Sequence, residues 1–391
     1  MIHPAVATFN VGSSSLKVSL YRLANDGTLD DCLLRFAVRD LHGNRTIDID
    51  PDDKRDSLAA AIEGYDDTND LIREIALWFN SGEMAIHLSG VGHRIVHGGT
   101  YFGGPSRAYD DILVKLDALA VFAPAHQPHN LAAVRAIRKA LPDVPQTLSF
   151  DTAFHRTMPR IAELYALPRD LSDQGLIRFG FHGLSYAHIA ESLPGLTEGL
   201  PKRVLALHLG SGASACAMLD GKSIATSMGL TALDGLPMAT RCGDLDPGVV
   251  LHLIQDRSMP VSEVADILYK RSGLLGVSGL SSDTRTLLKS DTPEAAEAID
   301  LYCYRIARQA GSLAVPLGGL DAVVFSGGVG ENAPEIRDRI VRHLNWLGPA
   351  LDDDANLANQ DIISPDNAGT PVLRIPADEE RIIAQDCASL L

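Results

Sequence analysis

The chain has 391 residues, with 34 lysines and arginines against 50 aspartates and glutamates, for a formal charge of −16. At about 100–200 residues per domain this length predicts two or three domains, and the acidic balance excludes a surface built chiefly to hold a polyanion such as nucleic acid. A content of 46% hydrophobic and 21% charged residues with 34 glycines belongs to an ordinary globular α/β protein, not to a disordered or collagenous chain.

In chain order, Ala5 to Tyr21 sets short apolar runs around Gly-Ser-Ser-Ser and predicts a strand, a tight glycine turn and a second strand. Leu41 to Asp70 is rich in Asp, Gly and Thr and predicts a solvated loop leading into a helical pattern that ends near Trp78. Val114 to Ala140 has helical spacing broken at Pro124 and Pro128; residues 145–150 then read as a strand, and a domain boundary near 150 follows. The second half opens its own strand at Arg203–His208, followed by Gly210-Ser-Gly-Ala-Ser214 and another apolar strand. TFNVGSSSLKVSLY aligns with ALHLGSGASACAML, pairing Asn10 with His208 and Gly12 with Gly210, as an internal duplication would. A third glycine loop ends Ala322-Val-Val-Phe-Ser-Gly-Gly-Val-Gly-Glu-Asn332. Backbone N–H groups in glycine turns reach phosphate oxygens unobstructed, so three such loops after strands predict one phosphate-binding cleft between two α/β halves. Each loop taken singly also reads as a plain hairpin turn.

The P-loop pattern GxxxxGK[ST] is absent, and no strand–GxGxxG–helix unit with a following acid stands out. Cys32, Cys216, Cys242, Cys303 and Cys387 are scattered without a CxxC pair, which predicts reduced thiols and a cytoplasmic setting. MIHPAVATFNVGSSSLK has no basic segment followed by an apolar one, and no run reaches the roughly 18 apolar residues of a membrane span, so neither export nor membrane anchoring is expected.

Arg94, in Gly92-His-Arg-Ile-Val-His-Gly-Gly99, and Arg241, in Met238-Ala-Thr-Arg-Cys-Gly-Asp244, stand among apolar and glycine residues and need anionic partners if buried. Each reads either as an internal ion pair, for Arg241 with Asp244 or Asp246, or as a clamp on phosphate or carboxylate. A metal reading of His93 with His97, or of His126 with His129, is weak: arginine stands where the HExxH pattern needs glutamate, and Ile95-Val96 favours a strand. His182, in Arg178-Phe-Gly-Phe-His-Gly183, reads equally as a core histidine or a site residue.

VATFNVGSSSLK, GHRIVHGG, FAPAHQPHN, SFDTAFH, RFGFHGLS, LHLGSGASA, TSMGLTALDGLPMATRCGDLDPG, SGLLGVSGLSSDTR, VVFSGGVGEN and IPADEE together resemble, in the same order, the signature blocks of the acetate and propionate kinase family, from residue 6 to about 387. The resemblance implies an α/β fold of two ribonuclease-H-like domains, as in actin-like ATPases, with an active-site cleft between them. It implies boundaries at 1–150 and 151–376, with 377–391 packing back on the first domain. The family reaction is reversible phosphoryl transfer between ATP and acetate, giving ADP and acetyl phosphate, with Mg²⁺ or alternatively Mn²⁺ as cofactor. A homodimer in the cytoplasm, with no nucleic-acid or membrane partner, goes with it.

By the same resemblance Arg94 holds the carboxylate or the moving phosphoryl group, and Arg241 with His182 stabilises transition-state charge. Asp151 matches the family's catalytic aspartate; a carboxylate acceptor needs no base, so organising an arginine or metal-bound water suits it better than proton abstraction. His126 corresponds to a supporting active-site histidine. Asn10 and Glu379 match the Mg²⁺ positions, although a glutamate in ADEER alone reads as a solvated charge. Ser13, Ser15 and Lys17 match the first phosphate loop, His208, Leu209, Gly210, Ser211 and Gly212 the second, and Gly328, Val329, Gly330, Glu331 and Asn332 the third. Asp283, Thr284 and Arg285 match the adenosine segment, or form a capped helix start. Val96, Ala125, Ala232 and Phe181 fall where the acyl pocket lies; two alanines there imply a roomier pocket than usual and propionate as a competing substrate. Ser211 replaces a usual asparagine, Tyr186 a usual histidine and Gln127 an asparagine. Two other readings are a kinase preferring propionate or another short acid, and an actin- or chaperone-like ATPase switch; a switch has no need of the arginine clamp.

Overall fold

Strand β1 (His3–Val11) is buried from Ala5 onward because it has partners on both edges, β2 (Ser15–Leu23) antiparallel and β5 (Ile86–Ile95) parallel. The computed structural model describes residues 3–12, 15–41, 45–82 and 86–391. The chain divides into two units, one made of Met1–Phe154 with Asp378–Leu391 and the other of His155–Ala377. In the first unit β1 is central to a seven-stranded sheet of order β4-β3-β2-β1-β5-β7-β6, completed by β3 (Leu29–Arg39), β4 (Thr46–Asp50), β6 (Ser106–Arg107) and β7 (Gln146–Phe150).

Side chains alternate across a strand, and that period positions the chemistry. Ala5, Ala7, Phe9 and Val11 turn into a core shared with Phe36, Trp78 and Phe79. Val6, Thr8 and Asn10 therefore take the other face, where Val6 packs with Ala384 and Cys387 of the helix Glu379–Ser389. On β5 the same period puts Gly90, Gly92 and Arg94 on the side of that helix. A Cβ on Gly92 would lie 2.7 Å from Ile383 Cγ2 and 2.9 Å from its carbonyl oxygen, so the helix rests on bare backbone. Among the core residues, His93 stacks on Phe9, and burial pushes its pKa down to about 4, leaving a neutral core histidine.

The second unit has a five-stranded sheet of order β10-β9-β8-β11-β12, from β8 (Arg203–Leu209), β9 (Ala213–Leu219), β10 (Lys222–Thr226), β11 (Ala322–Ser326) and β12 (Val372–Arg374). As in the first unit, an antiparallel hairpin, here β8 and β9, has a parallel neighbour on its free edge, β11. Asn10 and His208 are each the penultimate residue of the first hairpin strand. This repeats the alignment of the two glycine segments.

Three expectations need correction. Residues 41–70 do not form one solvated loop: they hold β4 and the helix Arg55–Ile62, and the next helix starts at Thr68 with Asp67 as its cap. Pro128 does not break a helix, because it lies in the first turn of Gln127–Ala140, where a missing N–H costs nothing. The third glycine stretch is not a loop: Gly327–Asn332 is helical, and Gly327, at φ +77°, approaches the Leu209 backbone where a Cβ would lie 2.7 Å from its oxygen.

Gly92→Ala is expected to destabilise the first unit by about 1–3 kcal/mol through overpacking against Ile383. Gly104, where an added Cβ would meet nothing within 4 Å, should accept alanine within about 0.5 kcal/mol. Urea unfolding followed by circular dichroism compares the two.

Candidate active site

In the first unit the candidate side chains project from the carboxyl ends of β1, β5 and β7, which run parallel. That end is where ligands bind in open α/β sheets. Arg94, the penultimate residue of β5, donates from Nε to Asp151 Oδ1 (2.8 Å) and from Nη2 to Asp151 Oδ2 (2.6 Å). Its Nη1 donates to Asn10 Oδ1 at 3.1 Å. Asn10 then donates from Nδ2 to Glu379 Oε2 (3.0 Å) and Glu380 Oε1 (2.9 Å). Lys17 Nζ stands 3.9 Å from Glu380 Oε1.

Both glutamates begin the helix Glu379–Ser389, which Asp378 caps by accepting from Arg381 N. Asp378 is fixed in turn by Arg35 Nη2 at 2.9 Å and by the Tyr21 hydroxyl at 3.4 Å. Glu379 is only 8% exposed and Glu380 5%, so the solvated-charge reading of Glu379 is overturned. Burial is the largest influence on the Asp151 carboxyl and raises its pKa, with Glu379 adding to the rise and Arg94 opposing it. Burial also works against the charged Arg94, yet Asp151, Glu379 and Glu380 outweigh it and hold the guanidinium firmly protonated.

In the second unit His182 begins the helix Gly183–Leu196 in the left-handed conformation, φ +59°, which is uncommon outside glycine. Its Nδ1 is 2.9 Å from Ser214 Oγ, which is 2.5 Å from the Tyr186 hydroxyl. The His182 ring stacks on His208 with centroids 4.4 Å apart, and His208 Nδ1 is 2.8 Å from Ser185 Oγ. Arg241 donates from Nη1 to Ala232 O at 2.9 Å. A Cβ on Gly212 would lie 3.2 Å from His182 Nε2 and 3.9 Å from Arg241 Nη1, so both nitrogens flank this bare position. The aspartates proposed as partners of Arg241 have other contacts: Asp244 binds Arg308 at 2.5 Å, and Asp246 caps the helix Pro247–Gln255.

The remaining sequence candidates fall as follows. Ser13 lies outside the described residues. Ser15 begins β2, its carbonyl accepting from Gly12 N at 2.7 Å. His208 and Leu209 end β8, and Gly210 N donates to Gly212 O at 2.9 Å to close the second turn around exposed Ser211. Gly328, Val329, Gly330, Glu331 and Asn332 share one helical segment; Arg337 Nη1 holds the carbonyls of Gly330 (2.8 Å) and Glu331 (2.9 Å), and Glu331 Oε1 accepts from Ala377 N. Asp283 caps the helix Thr284–Leu288 and pairs with Arg285, which lowers the Asp283 pKa, while Thr284 is buried. Val96 and Phe181 are buried, Ala232 is half-buried and Ala125 exposed; His126, half-buried, precedes the helix Gln127–Ala140.

Sequence reasoning missed Glu380, whose signal is the acid doublet at a helix start. It placed Ser214 only in a glycine turn and missed its contact with His182, 32 residues away in the chain. It also missed Asn130, which donates to Val11 O at 2.8 Å and accepts from Val96 N at 3.2 Å, tying the ends of β1 and β5.

The profile of the acetokinase family matches residues 5–385. An acetate kinase of Rhodopseudomonas palustris (strain ATCC BAA-98 / CGA009) is 47% identical over 387 residues, 96% of each chain. An acetate kinase of Methylocella silvestris is 42% identical over 402 residues, covering 99% of this chain and 98% of the other. Among crystal structures, a propionate kinase from Francisella tularensis aligns with a TM-score of 0.86 at 31% identity, covering 99% of this chain and 100% of that one. The Porphyromonas gingivalis acetate kinase aligns with a TM-score of 0.83 at 31% identity, covering 99% of each.

Arg94→Met leaves the Asp151 carboxylate buried and unpaired and should cost about 3–5 kcal/mol. Adding Asp151→Leu should restore most of that loss. Trp78 lies in the first unit's core, so its fluorescence during denaturation, in a Trp346→Phe background, reads this unit alone.

Proposed function

The chain belongs to the acetokinase family, and on that premise we propose that the two residue groups above move a phosphoryl group between ATP and acetate. A carboxylate oxygen of acetate attacks the γ-phosphorus; the new O–P bond forms as the bond to the departing ADP oxygen breaks, and ADP leaves with the electron pair. No proton moves, because the acceptor is already an anion. The difficulty is bringing an anion to a polyphosphate, so fixed positive charge and donors carry the catalysis.

The observation that carries the reading is Arg94: a half-buried guanidinium at the carboxyl end of β5, held in one plane by both oxygens of the buried Asp151. Arg94 orients the acceptor carboxylate or the moving phosphoryl group, and Asp151 serves as its clamp instead of as a base. Arg241 and His182 supply donors for the equatorial oxygens, and a preorganised donor of this kind is worth about 3–4 kcal/mol. His126 supports the acyl phosphate. Lys17 and Ser15, the Gly210–Gly212 turn and the Gly327–Asn332 helix take the phosphates, and Thr284 with its Asp283–Arg285 pair lies along the adenosine.

Among the described residues no cluster of three or more His, Cys, Asp or Glu forms a metal cage. Magnesium needs none, since one or two carboxylates with substrate phosphates and water suffice. Glu379 and Glu380, two buried acids beside one amide, fit that oxygen donor set. When bound, the ion supplies charge neutralisation on the phosphates. Asn10 holds both carboxylates towards that position.

Among the described residues no helix is long and apolar enough to cross a membrane, and the five cysteines are free thiols, which suits a reducing compartment such as the cytoplasm. The helix Pro247–Gln255 buries none of its residues, with Leu251 53% and Val249 40% exposed. An uncovered apolar helix of this kind supports a homodimer with this face in the interface.

With MgATP and acetate, hydroxylamine should trap the acetyl hydroxamate. Arg241→Ala should lower its rate by about 10²–10³-fold, the loss of one preorganised donor, and chelating the divalent ion should abolish it. If Ala125 and Ala232 leave room for one more CH₂, propionate should reach a kcat/KM within about tenfold of acetate. ATP hydrolysis that ignores the carboxylate would point instead to a conformational ATPase. Sedimentation should show a dimer that Leu251→Asp converts to monomer.

A further inference from the structure

Tyr186 is fully buried, and its hydroxyl lies 2.5 Å from Ser214 Oγ, which in turn contacts His182. We propose that Tyr186 and Ser214 form a proton-orienting relay that fixes the neutral His182 ring with its hydrogen on Nε2. The proposal rests on the reading of His182 as a phosphoryl-stabilising donor and names what holds it in that role.

The direction of the relay follows from acidity. A phenol is a stronger hydrogen-bond donor than an alkanol and a weaker acceptor, so in the 2.5 Å contact Tyr186 donates and Ser214 Oγ accepts. Burial keeps the phenol protonated, pushing its pKa well above the ordinary value against the contacts that lower it. With its lone pair engaged, the Ser214 hydrogen is aimed along the 2.9 Å line to His182 Nδ1, and one bond strengthens the next. A neutral imidazole that accepts at Nδ1 carries its hydrogen on Nε2. That nitrogen is the one beside Gly212, with Arg241 Nη1 on the same bare position.

Further contacts set the backbone and the plane of the ring. His155 Nε2 is 3.0 Å from Phe181 O and its Nδ1 is 2.8 Å from Ser223 Oγ, which fixes the backbone just before His182. A Cβ on Gly180 would come within 2.6 Å of the His155 ring, so this approach depends on glycine. Stacking on His208 sets the ring plane. Orientation is thus secured by backbone and stacking, and the proton position by Tyr186 and Ser214. Tyr186 is therefore a positioning residue and not a catalytic one.

The test compares wild type, Tyr186→Phe and Ser214→Ala by two measurements. Nitrogen-15 spectra of the imidazoles, with His182 assigned by His182→Gln, should give the Nε2–H tautomer in wild type at pH 8 and a mixture in both variants. This readout needs no turnover, so it stands even if acetate proves not to be the acceptor. In the hydroxamate assay both variants should lose about tenfold in kcat, with KM for acetate and MgATP within twofold of wild type. Should Tyr186→Phe fail to fold, Ser214→Ala alone decides, because it breaks the relay while keeping the phenol. An unchanged tautomer overturns the proposal, and so does an unchanged kcat in a folded variant. Loss of melting temperature with tautomer and kcat both intact would show Tyr186 to be a packing residue only.

Discussion

Arg94, half-buried, and Asp151, buried, meet through two hydrogen bonds at the ends of β5 and β7, and the geometry of that pair constrains everything around it. Burying two charges is tolerable only when each remaining polar atom finds a partner. Two guanidinium nitrogens face the aspartate and the third needs an acceptor, which Asn10 provides. Turned that way, the Asn10 amide must present its N–H groups to further acceptors, and the paired acids at the head of the helix Glu379–Ser389 receive them. The pair thus determines which way an amide points and where two more carboxylates stand.

The two units solve a similar placement problem with different chemistry on similar scaffolds. Each has an antiparallel hairpin with a parallel strand on its free edge, and each uses the penultimate residue of the first hairpin strand. In the first unit that residue is Asn10, in a cluster of full charges. In the second it is His208, stacked on another imidazole and served by hydroxyls. Hydroxyl networks orient a group without adding charge. Arg241 remains as the cationic member there, donating to the backbone carbonyl of Ala232.

Strands and hairpins were legible because alternation and glycine turns are local signals, and both internal hairpins lie where these place them. The stretch from 41 to 70 was not, since its Asp-rich composition masks a strand whose alternate isoleucines, Ile47 and Ile49, pack on the first core. Pro128 misled for a positional reason: a proline ends a helix or begins one depending on a residue's offset. For the site, arginines among glycines flagged Arg94 and Arg241, but their partners are set by tertiary structure. Asp151 lies 57 residues from Arg94 and Glu379 lies 369 from Asn10, and no window of sequence reports such pairs. Ser214 and Tyr186 were invisible as a unit for the same reason.

The first unit is closed by a segment that follows the whole second unit in the chain. The helix Glu379–Ser389 covers Gly90 and Gly92, and Arg107 grips the Leu390 carbonyl from the sheet edge at 2.9 Å. During synthesis at about 5–20 residues per second, the seven-stranded sheet therefore emerges with one face bare and waits while His155–Ala377 is made. A sheet face left uncovered for that long invites misassociation. The acids that complete its charged cluster arrive with the same helix, so covering that face and assembling the charged cluster are one folding event, and a nascent chain is without both until the second unit has been made.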